Sequence, residues 1–471
     1  MVFSSVTFLL IFLLVTSVFY YIPNLFNKKN KAIGYKNAVL CLVSLFFYAW
    51  GEPVNVVLLL ISIAFNYTVA RDMSYRTKQG KKNKALLVFS LIFNIGILGF
   101  YKYGGFIVEN IASVFNLKIS YFAPALPIGI SFFTFQILSY VIDVYNEKNE
   151  ALKNVMDFSL YISMFPQLVA GPIVQYSQIQ KQLRNRQENI EEVSEGICMF
   201  VKGLFKKTVF ANAAGAIYEV LAAEGFGNLS VLGSWSAVIF YAFQIYYDFS
   251  GYSDMAMGLG AMFGFKLPIN FNHPYIASSV TDFWHRWHIT LSSWFKDYVY
   301  IPMGGSRRSI ARNIFNLFVV WSLTGFWHGA SWNFILWGVY YFILLVFEKY
   351  ILKSFLNKIP KFIRQIFTFI LVLFGWVLFS CTNLVDCISL FLAMFGKNGF
   401  MDAAGTYVLL TNAVILFIMG IASTGLFSYE KKENEKGLRT VFRHVFTFAL
   451  LFVSIMCLAG DSYNPFLYFR F

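Results

Sequence analysis

The five histidines are the side chains best suited to acid–base chemistry, and His328 has the most unusual surroundings. It lies in Trp327-His328-Gly329, inside an apolar stretch whose nearest polar neighbours are Ser331 and Asn333. An ionisable residue at membrane depth is costly, so a functional role is its first interpretation. Burial tends to keep imidazole neutral near pH 7, which is the state that a general base needs. The structural alternative is a neutral ring that bonds one backbone carbonyl.

A second candidate region is the polar and aromatic run at 281–294, which contains His285 and His288. If this run is helical, the two rings share a face and Asp282 lies one turn earlier. No second cluster supplies a convincing fourth ligand, so we predict no metal site. An interfacial helix anchored by tryptophans is the structural alternative. His273, in a turn-like stretch, and His444, in a basic loop, are interpreted as structural and solvated residues.

The elements that position these residues are predicted from composition to be membrane helices. Of 471 residues, 58% are hydrophobic and 13% are charged, against about 25% charged in a soluble domain. Apolar runs of about 18 to 22 residues recur, the length that spans a bilayer. The net charge of +14 is divided among short clusters between these runs. That distribution fits the positive-inside rule and contact with anionic lipid, and not nucleic-acid binding.

We therefore predict an all-α, polytopic membrane protein with 10–13 transmembrane or re-entrant helices in one membrane domain, 1–471. The first run has no basic n-region and is followed by lysines, so it is interpreted as a spanning helix and not as a cleaved signal. Segment 173–207 mixes polar and apolar positions and is predicted to lie in the interface. The candidate membrane segments are 3–22, 37–50, 54–70, 85–101, 122–144, 155–172, 194–222, 233–262, 314–330, 332–350, 365–383, 406–428 and 441–459.

The distribution of lysine and arginine predicts which loops face the cytoplasm. The segment 314–350 has basic loops at both ends, so it is predicted to be a hairpin rooted in the cytosol. None of the five cysteines forms a CxxC pair, so free thiols are expected. The basic clusters predicted to be cytoplasmic are 28–36, 71–84, 181–207, 307–312, 353–364 and 431–443.

Several motifs in order along the chain, with the core ones at about 122–350, resemble the membrane-bound O-acyltransferase family, in particular its alginate O-acetylation branch. Together they cover most of the chain. The motifs are Leu126–Phe132 with Tyr140 and Asp143, Phe165–Pro172, Tyr247–Asp254, Asn270–Asn272 with Pro274 and Tyr275, Phe283–Trp294, Asp297–Gly305 and Phe326–Ala330.

The resemblance implies a ring of helices around a tunnel and assigns two catalytic histidines. The histidine of the family's Trp-His-Gly motif matches His328, and a second one, after Arg-Trp, matches His288. The acetyl donor is expected to be cytosolic acetyl-CoA or a related thioester, with no bound cofactor. The acceptor is expected to be an extracytoplasmic polysaccharide, often reached through an SGNH-type partner. The expected location is the cytoplasmic membrane of a bacterium.

Within this scheme His328 is predicted to be the general base on the acceptor hydroxyl. His288 is predicted to orient the acceptor or to stabilise the oxyanion, helped by Ser292 and Asn333. A polar lining is expected on the segment 233–262. Four basic residues are expected either to attract the donor's phosphates from the cytosolic face or to have a structural role at the membrane interface. The lining residues are Gln244, Asp248 and Asp254, and the basic ones are Arg286, Lys296, Arg307 and Arg308.

Two other functions remain open on the sequence. A transporter of lipid-linked glycans would also have polar residues at mid-membrane, but usually in two repeated halves, and no internal duplication is visible. A D-alanyl transferase of teichoic acid synthesis is the alternative within the family, and the segment Tyr300–Gly305 favours the acetylation branch over it. The polysaccharide itself is not readable from the sequence.

Overall fold

The computed structural model describes residues 1–26, 32–119, 121, 124–356, 358–426, 437–460 and 466–467, and these form helices joined by turns with no strand. Several helices are extended by π-helical turns. The helices are α1 Leu13–Leu25, α2 Ile33–Gly51, α3 Asn55–Lys78, α4 Lys84–Leu98, α5 Gly104–Phe115, α6 Ile130–Tyr145, α7 Val155–Ser163, α8 Phe165–Leu168, α9 Tyr176–Asn185, α10 Ile190–Phe205, α11 Asn212–Ala223, α12 Val231–Met262, α13 Val280–Arg286, α14 Ile289–Phe295, α15 Ile310–His328, α16 Trp332–Phe347, α17 Lys353–Leu356, α18 Lys361–Ser380, α19 Leu384–Met394, α20 Ala403–Ser423 and α21 Leu438–Gly460.

Eight helical segments in the described part of the chain are long and apolar enough to cross a membrane. Their outward faces are apolar: Leu410, Val414 and Phe417 of α20 are each exposed by more than two thirds. In water such a surface would aggregate, whereas lipid covers it. The predicted all-α, polytopic membrane class is confirmed. Parts of three basic clusters, residues 28–31, 357 and 431–436, lie outside the described residues.

The chain divides into two compact units. The first contains residues 1–204, 252–268 and 458–469, and the second contains 205–251, 269–457 and 470–471. All the predicted site residues except Asp254 belong to the second unit. The prediction of a single membrane domain stays a prediction.

In the first unit, buried charges hold the segment that was predicted to lie in the interface. Helix α9 buries Tyr176, Ile179 and Leu183 on one face and exposes its lysine and arginine, as an amphipathic helix does. Just after it, Glu188 accepts hydrogen bonds from Lys36 Nζ at 2.7 Å and from the Tyr20 hydroxyl at 2.6 Å. These bonds tie the loop after α9 to α1 and α2.

In the second unit, α15 and α16 form the predicted hairpin, and two glycines set how closely they pack. A Cβ on Gly325 would lie 2.4 Å from the Phe334 carbonyl oxygen, and one on Gly338 would lie 2.4 Å from that of Trp321. Only residues without a side chain let the backbones approach so closely, as is common between membrane helices. Gly325 is one turn before His328, so this contact also fixes the end of α15.

The run at 281–294 is not the continuous helix considered from the sequence. Helix α13 ends at Arg286, and His288 adopts a left-handed conformation with φ of 46° before α14 begins. His285 and His288 therefore do not share one helical face. Because of this break, the His288 side chain does not continue the helical spacing of the side chains of α13.

Gly338→Leu should destabilise the second unit by at least the 1–3 kcal/mol typical of overpacking, because the new side chain meets backbone that cannot move aside. Gly420→Leu is the matched control, since nothing lies within 4 Å of a Cβ at Gly420 in α20. The measurement is thermal unfolding of the detergent-solubilised variants. Equal melting temperatures for the two would contradict the close contact.

Candidate active site

His328 is the last residue of α15, and its imidazole is enclosed by aromatic rings. The next residue, Gly329, is extended, so the helix stops directly after the histidine. The ring is 3% exposed. The rings of Trp327, Trp337 and Phe379 stand nearly perpendicular to it with centroids at 5.0, 4.9 and 5.2 Å. These edge-to-face contacts restrict the imidazole to one orientation.

His288 is held by Asn270, which assigns its tautomer. Asn270 Oδ1 accepts from the Thr290 backbone N–H at 3.2 Å and from the Thr290 hydroxyl at 2.9 Å. The same oxygen lies 3.1 Å from His288 Nδ1. An amide oxygen can only accept hydrogen bonds, so Nδ1 must be the donor in this contact. The ring proton is therefore on Nδ1, and Nε2 has the lone pair. Burial lowers the pKa of His288 to about 3, so the ring is neutral at physiological pH.

Trp327 connects the two histidines, which are 40 residues apart in the sequence. Its indole lies edge-on to both imidazoles, with centroids 5.8 Å from His288 and 5.0 Å from His328. Phe249 of α12 also packs against His288, with ring centroids 4.7 Å apart. Both predicted catalytic residues are therefore parts of one aromatic cluster in the second unit.

Three of the predicted binding residues have bonds that position the local backbone. Asn333 Nδ2 donates to the Cys381 carbonyl at 2.8 Å, which joins the start of α16 to the end of α18. Arg286 Nε bonds Asp282 at 2.7 Å, and its Nη1 bonds the Asn272 carbonyl at 3.3 Å. Ser292 lines a cavity, and its hydroxyl lies 3.4 Å from the Trp284 carbonyl.

The three polar residues that were predicted to form a lining on α12 have three different surroundings. Asp248 forms a buried ion pair with Lys207 at 2.5 Å. Gln244 packs so closely on α11 that a Cβ on Gly215 would be 2.5 Å from its amide nitrogen. Asp254 is half-buried in the portion of α12 that belongs to the first unit.

A cavity of about 690 Å³ lies in the second unit, and His328 is not among its lining residues. Leu317, Val320, Trp321 and Thr324 of α15 line it, and this spacing marks one face of the helix. The same face continues to His328, four residues after Thr324, or about 6 Å along the axis. The cavity is further lined by Ser279, Thr281, Trp284, His285, Ile289, Leu291, Ser292, Ser293, Phe295, Lys296, Tyr300, Leu345, Glu348, Lys349, Lys353, Leu356 and Arg364.

A second cavity of about 570 Å³ shares Lys296 and Tyr300 with the first, and its lining is strongly basic. Its charged lining residues are Lys296, Arg307 and Arg308, and its lining contains no carboxylate. Gly304 and Gly305 both have positive φ, at 105° and 57°, which lets the backbone turn sharply around this space. Six of its residues belong to the sequence motif 297–305 or border it directly: Lys296, Tyr300, Ile301, Gly304, Gly305 and Ser306.

Asn313, which the sequence reasoning missed, fixes the loop of the second cavity to α15. Its Nδ2 donates to the Tyr300 hydroxyl at 2.6 Å and to the Gly305 carbonyl at 3.0 Å. Its Oδ1 accepts from Lys349 Nζ at 2.7 Å and from the Tyr350 hydroxyl at 2.6 Å. An asparagine at the start of an apolar helix gives no distinctive sequence signal.

The sequence reasoning also missed Lys207. It lies in a π-helical turn, Lys206–Ala211, and is 3% exposed. A lysine inside a predicted membrane segment, here 194–222, was the available signal, because such residues are rare and usually paired. No group of three or more His, Cys, Asp or Glu side chains that could hold a metal occurs among the residues the structure describes.

Comparison with known proteins identifies the family. The model of the MBOAT, membrane-bound O-acyltransferase, family matches residues 50–391. The chain belongs to the membrane-bound O-acyltransferase family. It is therefore an O-acyltransferase and a multi-pass membrane protein.

Individual relatives lie in several branches of this family. The chain is 32% identical to "Probable alginate O-acetylase AlgI" of Azotobacter vinelandii over 100% of both chains. It is 35% identical to the peptidoglycan O-acetyltransferase of Helicobacter pylori, over 85% of this chain and 80% of the relative. Similarity to the teichoic acid D-alanyltransferase of Bacillus subtilis is lower, at 27% over 54% of this chain and 68% of the relative.

Lys207→Ala should destabilise this O-acyltransferase by about 3–5 kcal/mol, because it leaves the Asp248 carboxylate buried without its cation. The matched control, Lys207→Met with Asp248→Leu, removes both charges and should recover most of that loss. The measurements, for the single and the double variant, are thermal unfolding and the yield of membrane-inserted protein. A single variant as stable as the wild type would show that the pair is not buried in the membrane protein.

The low pKa of His288 predicts a pH-dependent stability. The unfolded ring titrates near pH 6.5, whereas the folded ring resists protonation down to about 3. The contribution of the neutral His288 ring to the free energy of unfolding is therefore complete above pH 6.5 and is lost as the pH falls toward 3. Between pH 6.5 and 5.5 this contribution falls by about 1 kcal/mol. His288→Asn keeps an amide donor and tolerates the left-handed backbone.

Thermal unfolding at pH 7.5 and 5.5 is the measurement. The wild type should lose more stability than His288→Asn on acidification. Equal losses would mean that the imidazole is hydrated and not held in the aromatic cluster.

Proposed function

We propose that this O-acyltransferase moves an acetyl group from a cytosolic thioester, acetyl-CoA or a related donor, to an extracytoplasmic polysaccharide. Transfer is either direct or through an SGNH-type partner protein that acetylates the polymer. The single observation that supports this most is the face of α15 that lines the larger cavity and continues to His328. A donor in that cavity would bring its thioester to the imidazole.

The charges around the cavities support a donor that carries phosphate. Lys296, Lys349, Lys353 and Arg364 line the larger cavity, with Glu348 as its one carboxylate. Arg307 and Arg308 line the smaller one. The basic clusters 307–312 and 353–364 are among the six that the positive-inside rule assigns to the cytoplasm. The donor would enter from that side with its anionic group at the arginines and its acyl end toward Thr324.

The reaction proposed is attack of an acceptor hydroxyl on the thioester carbonyl. His328 removes the hydroxyl proton while the new C–O bond forms. The tetrahedral intermediate collapses, the C–S bond breaks, and the proton on His328 passes to the leaving thiolate. The products are an acetyl ester and a free thiol, and the histidine is regenerated without a metal or other cofactor.

His288 is assigned to orienting the acceptor and not to the oxyanion. With its proton on Nδ1 directed to Asn270, the Nε2 atom accepts hydrogen bonds and cannot donate one to an oxyanion. An acceptor hydroxyl is a suitable donor to that lone pair. The Trp327 ring between the two imidazoles would keep the two histidines at a fixed spacing around the hydroxyl.

The names of the relatives support acetylation of a polysaccharide. Full-length similarity to an alginate O-acetylase and extensive similarity to a peptidoglycan O-acetyltransferase exceed the partial match to D-alanyltransferases. The proposed location is the cytoplasmic membrane of a bacterium, since these relatives are bacterial. The membrane position of the long helices also lets the donor and the polysaccharide stay on opposite sides.

His328→Ala should lower acetyl transfer by about 10²–10⁴-fold, the usual contribution of a general base. The assay is transfer of label from acetyl-CoA into alkali-labile ester in envelope membranes that contain the protein. His444→Ala is the matched control, because His444 is an exposed residue of α21. Full activity of an inserted His328→Ala protein would contradict the proposal, and intact acetyl-CoA with wild-type protein would favour a transporter.

A further inference from the structure

We propose that the hydroxyl group of Tyr300 donates a hydrogen bond to a phosphate group of the acyl donor. Tyr300 and Lys296 are the two residues that line both the larger and the smaller cavity. The inference rests on the proposed function for the identity of the ligand. It adds to the basic lining an uncharged residue whose hydrogen atom is directed by its neighbours.

The amide of Asn313 has only one favourable orientation, and this decides the hydrogen bonds around it. Its Nδ2 lies 3.0 Å from the Gly305 carbonyl oxygen, which can only accept a hydrogen bond. Its Oδ1 lies 2.7 Å from Lys349 Nζ, which can only donate one. Exchanging the two amide atoms would therefore break both bonds. Asn313 is 2% exposed, so water does not replace them.

The two tyrosines that bind Asn313 consequently have opposite roles. The Tyr350 hydroxyl lies 2.6 Å from Oδ1 and uses its hydrogen atom to donate to it. The Tyr300 hydroxyl lies 2.6 Å from Nδ2, so its oxygen accepts and its hydrogen atom is directed elsewhere. Within the described ranges, no protein group accepts that hydrogen atom. Since Tyr300 lines both cavities, its partner there is a ligand or water.

The charges beside Tyr300 favour an anionic ligand. Lys296 begins the π-helical turn that Tyr300 ends. Arg307 and Arg308 line the smaller cavity, whose lining has no carboxylate. Arg308 packs over a glycine, since a Cβ on Gly304 would lie 2.7 Å from its Cγ. A phosphate group fits these surroundings, because its oxygens accept hydrogen bonds from a hydroxyl and from cationic side chains at once.

The Tyr300 hydroxyl is held in place before any ligand binds. The Gly305 backbone N–H donates to the Tyr300 carbonyl at 2.9 Å. The Gly305 carbonyl in turn accepts from Asn313 and, at 3.1 Å, from Asn316, and both asparagines belong to α15. The turn that contains Tyr300 is thus fixed to a long helix. A donor group that is already positioned loses little conformational freedom on binding.

The experiment compares Tyr300→Phe with the wild type, as purified proteins in phosphatidylcholine nanodiscs. The substitution removes one oxygen atom and keeps the ring. The dissociation constant for CoA should rise by about tenfold or more, the effect of losing a hydrogen bond to a charged group. The dissociation constant for pantetheine, which has no phosphate, should stay as in the wild type.

Tyr350→Phe is the matched control. It also removes a hydroxyl group that lies 2.6 Å from the Asn313 amide, but Tyr350 lines neither cavity. Its dissociation constant for CoA should therefore equal that of the wild type. Equal weakening of CoA binding in the two variants would mean that both hydroxyls act only on the structure around Asn313, and the proposal would fall.

Lys296→Gln is a second variant of the shared lining, and it should also weaken the binding of CoA but not of pantetheine. Unchanged CoA binding in Tyr300→Phe would overturn the proposal, and so would an equal loss with pantetheine. A lipid headgroup is the other source of phosphate. If it bound here, phosphatidylglycerol added to the nanodiscs would weaken CoA binding to the wild type and abolish the difference from Tyr300→Phe, against the proposal.

Failure of the underlying function would look different. Binding of CoA requires no transfer, so the difference between the wild type and Tyr300→Phe would persist in a protein that transfers no acetyl label. A wild type that transfers acetyl, with CoA binding equal to that of Tyr300→Phe, would refute the role of Tyr300 alone.

Discussion

The site depends on one constraint: the His328 imidazole must be kept in a fixed orientation inside an apolar environment. A ring that could rotate or gain water would change both its basicity and its direction. Here three aromatic rings stand edge-on to His328, and the helix ends at the same residue. The helix pair α15 and α16 holds two of those rings, Trp327 and Trp337, in place through the glycine contact at Gly325 and Gly338, and α18 supplies Phe379. The packing of α15 against α16 therefore also fixes the orientation of the His328 side chain.

The helical architecture and the two histidines were accessible to sequence reasoning, for identifiable reasons. Apolar runs of spanning length are long and regular, so α12, α16 and α20 occur close to their predicted positions. His328 stood out because an ionisable residue in an apolar run is rare. The histidines' assignment to catalysis depended on resemblance to a family. It stays a prediction, although the structure places both on Trp327.

Other features depend on distant contacts that no local pattern encodes. The break between α13 and α14 follows from the left-handed His288 and its bond to Asn270, which periodicity does not reveal. Asp248 looked like a site lining residue, but its bond to Lys207 can be found only when two helices are seen together. Asn313 is an ordinary polar residue until its four partners converge from two segments. Such tertiary bonds are set by the fold and not by neighbours in sequence.

The four bonds of Asn313 have a consequence for substrate geometry. They join the loop at Gly305, the start of α15 and the end of α16's π-helical extension, so these pieces move as a unit. From Asn313 to His328 the rigid α15 rises by about 22 Å. The distance between the arginine-lined cavity and the His328 imidazole is therefore constant. Under the proposed function, a donor bound at the arginines has to span this distance, and one too short to do so would bind without reacting.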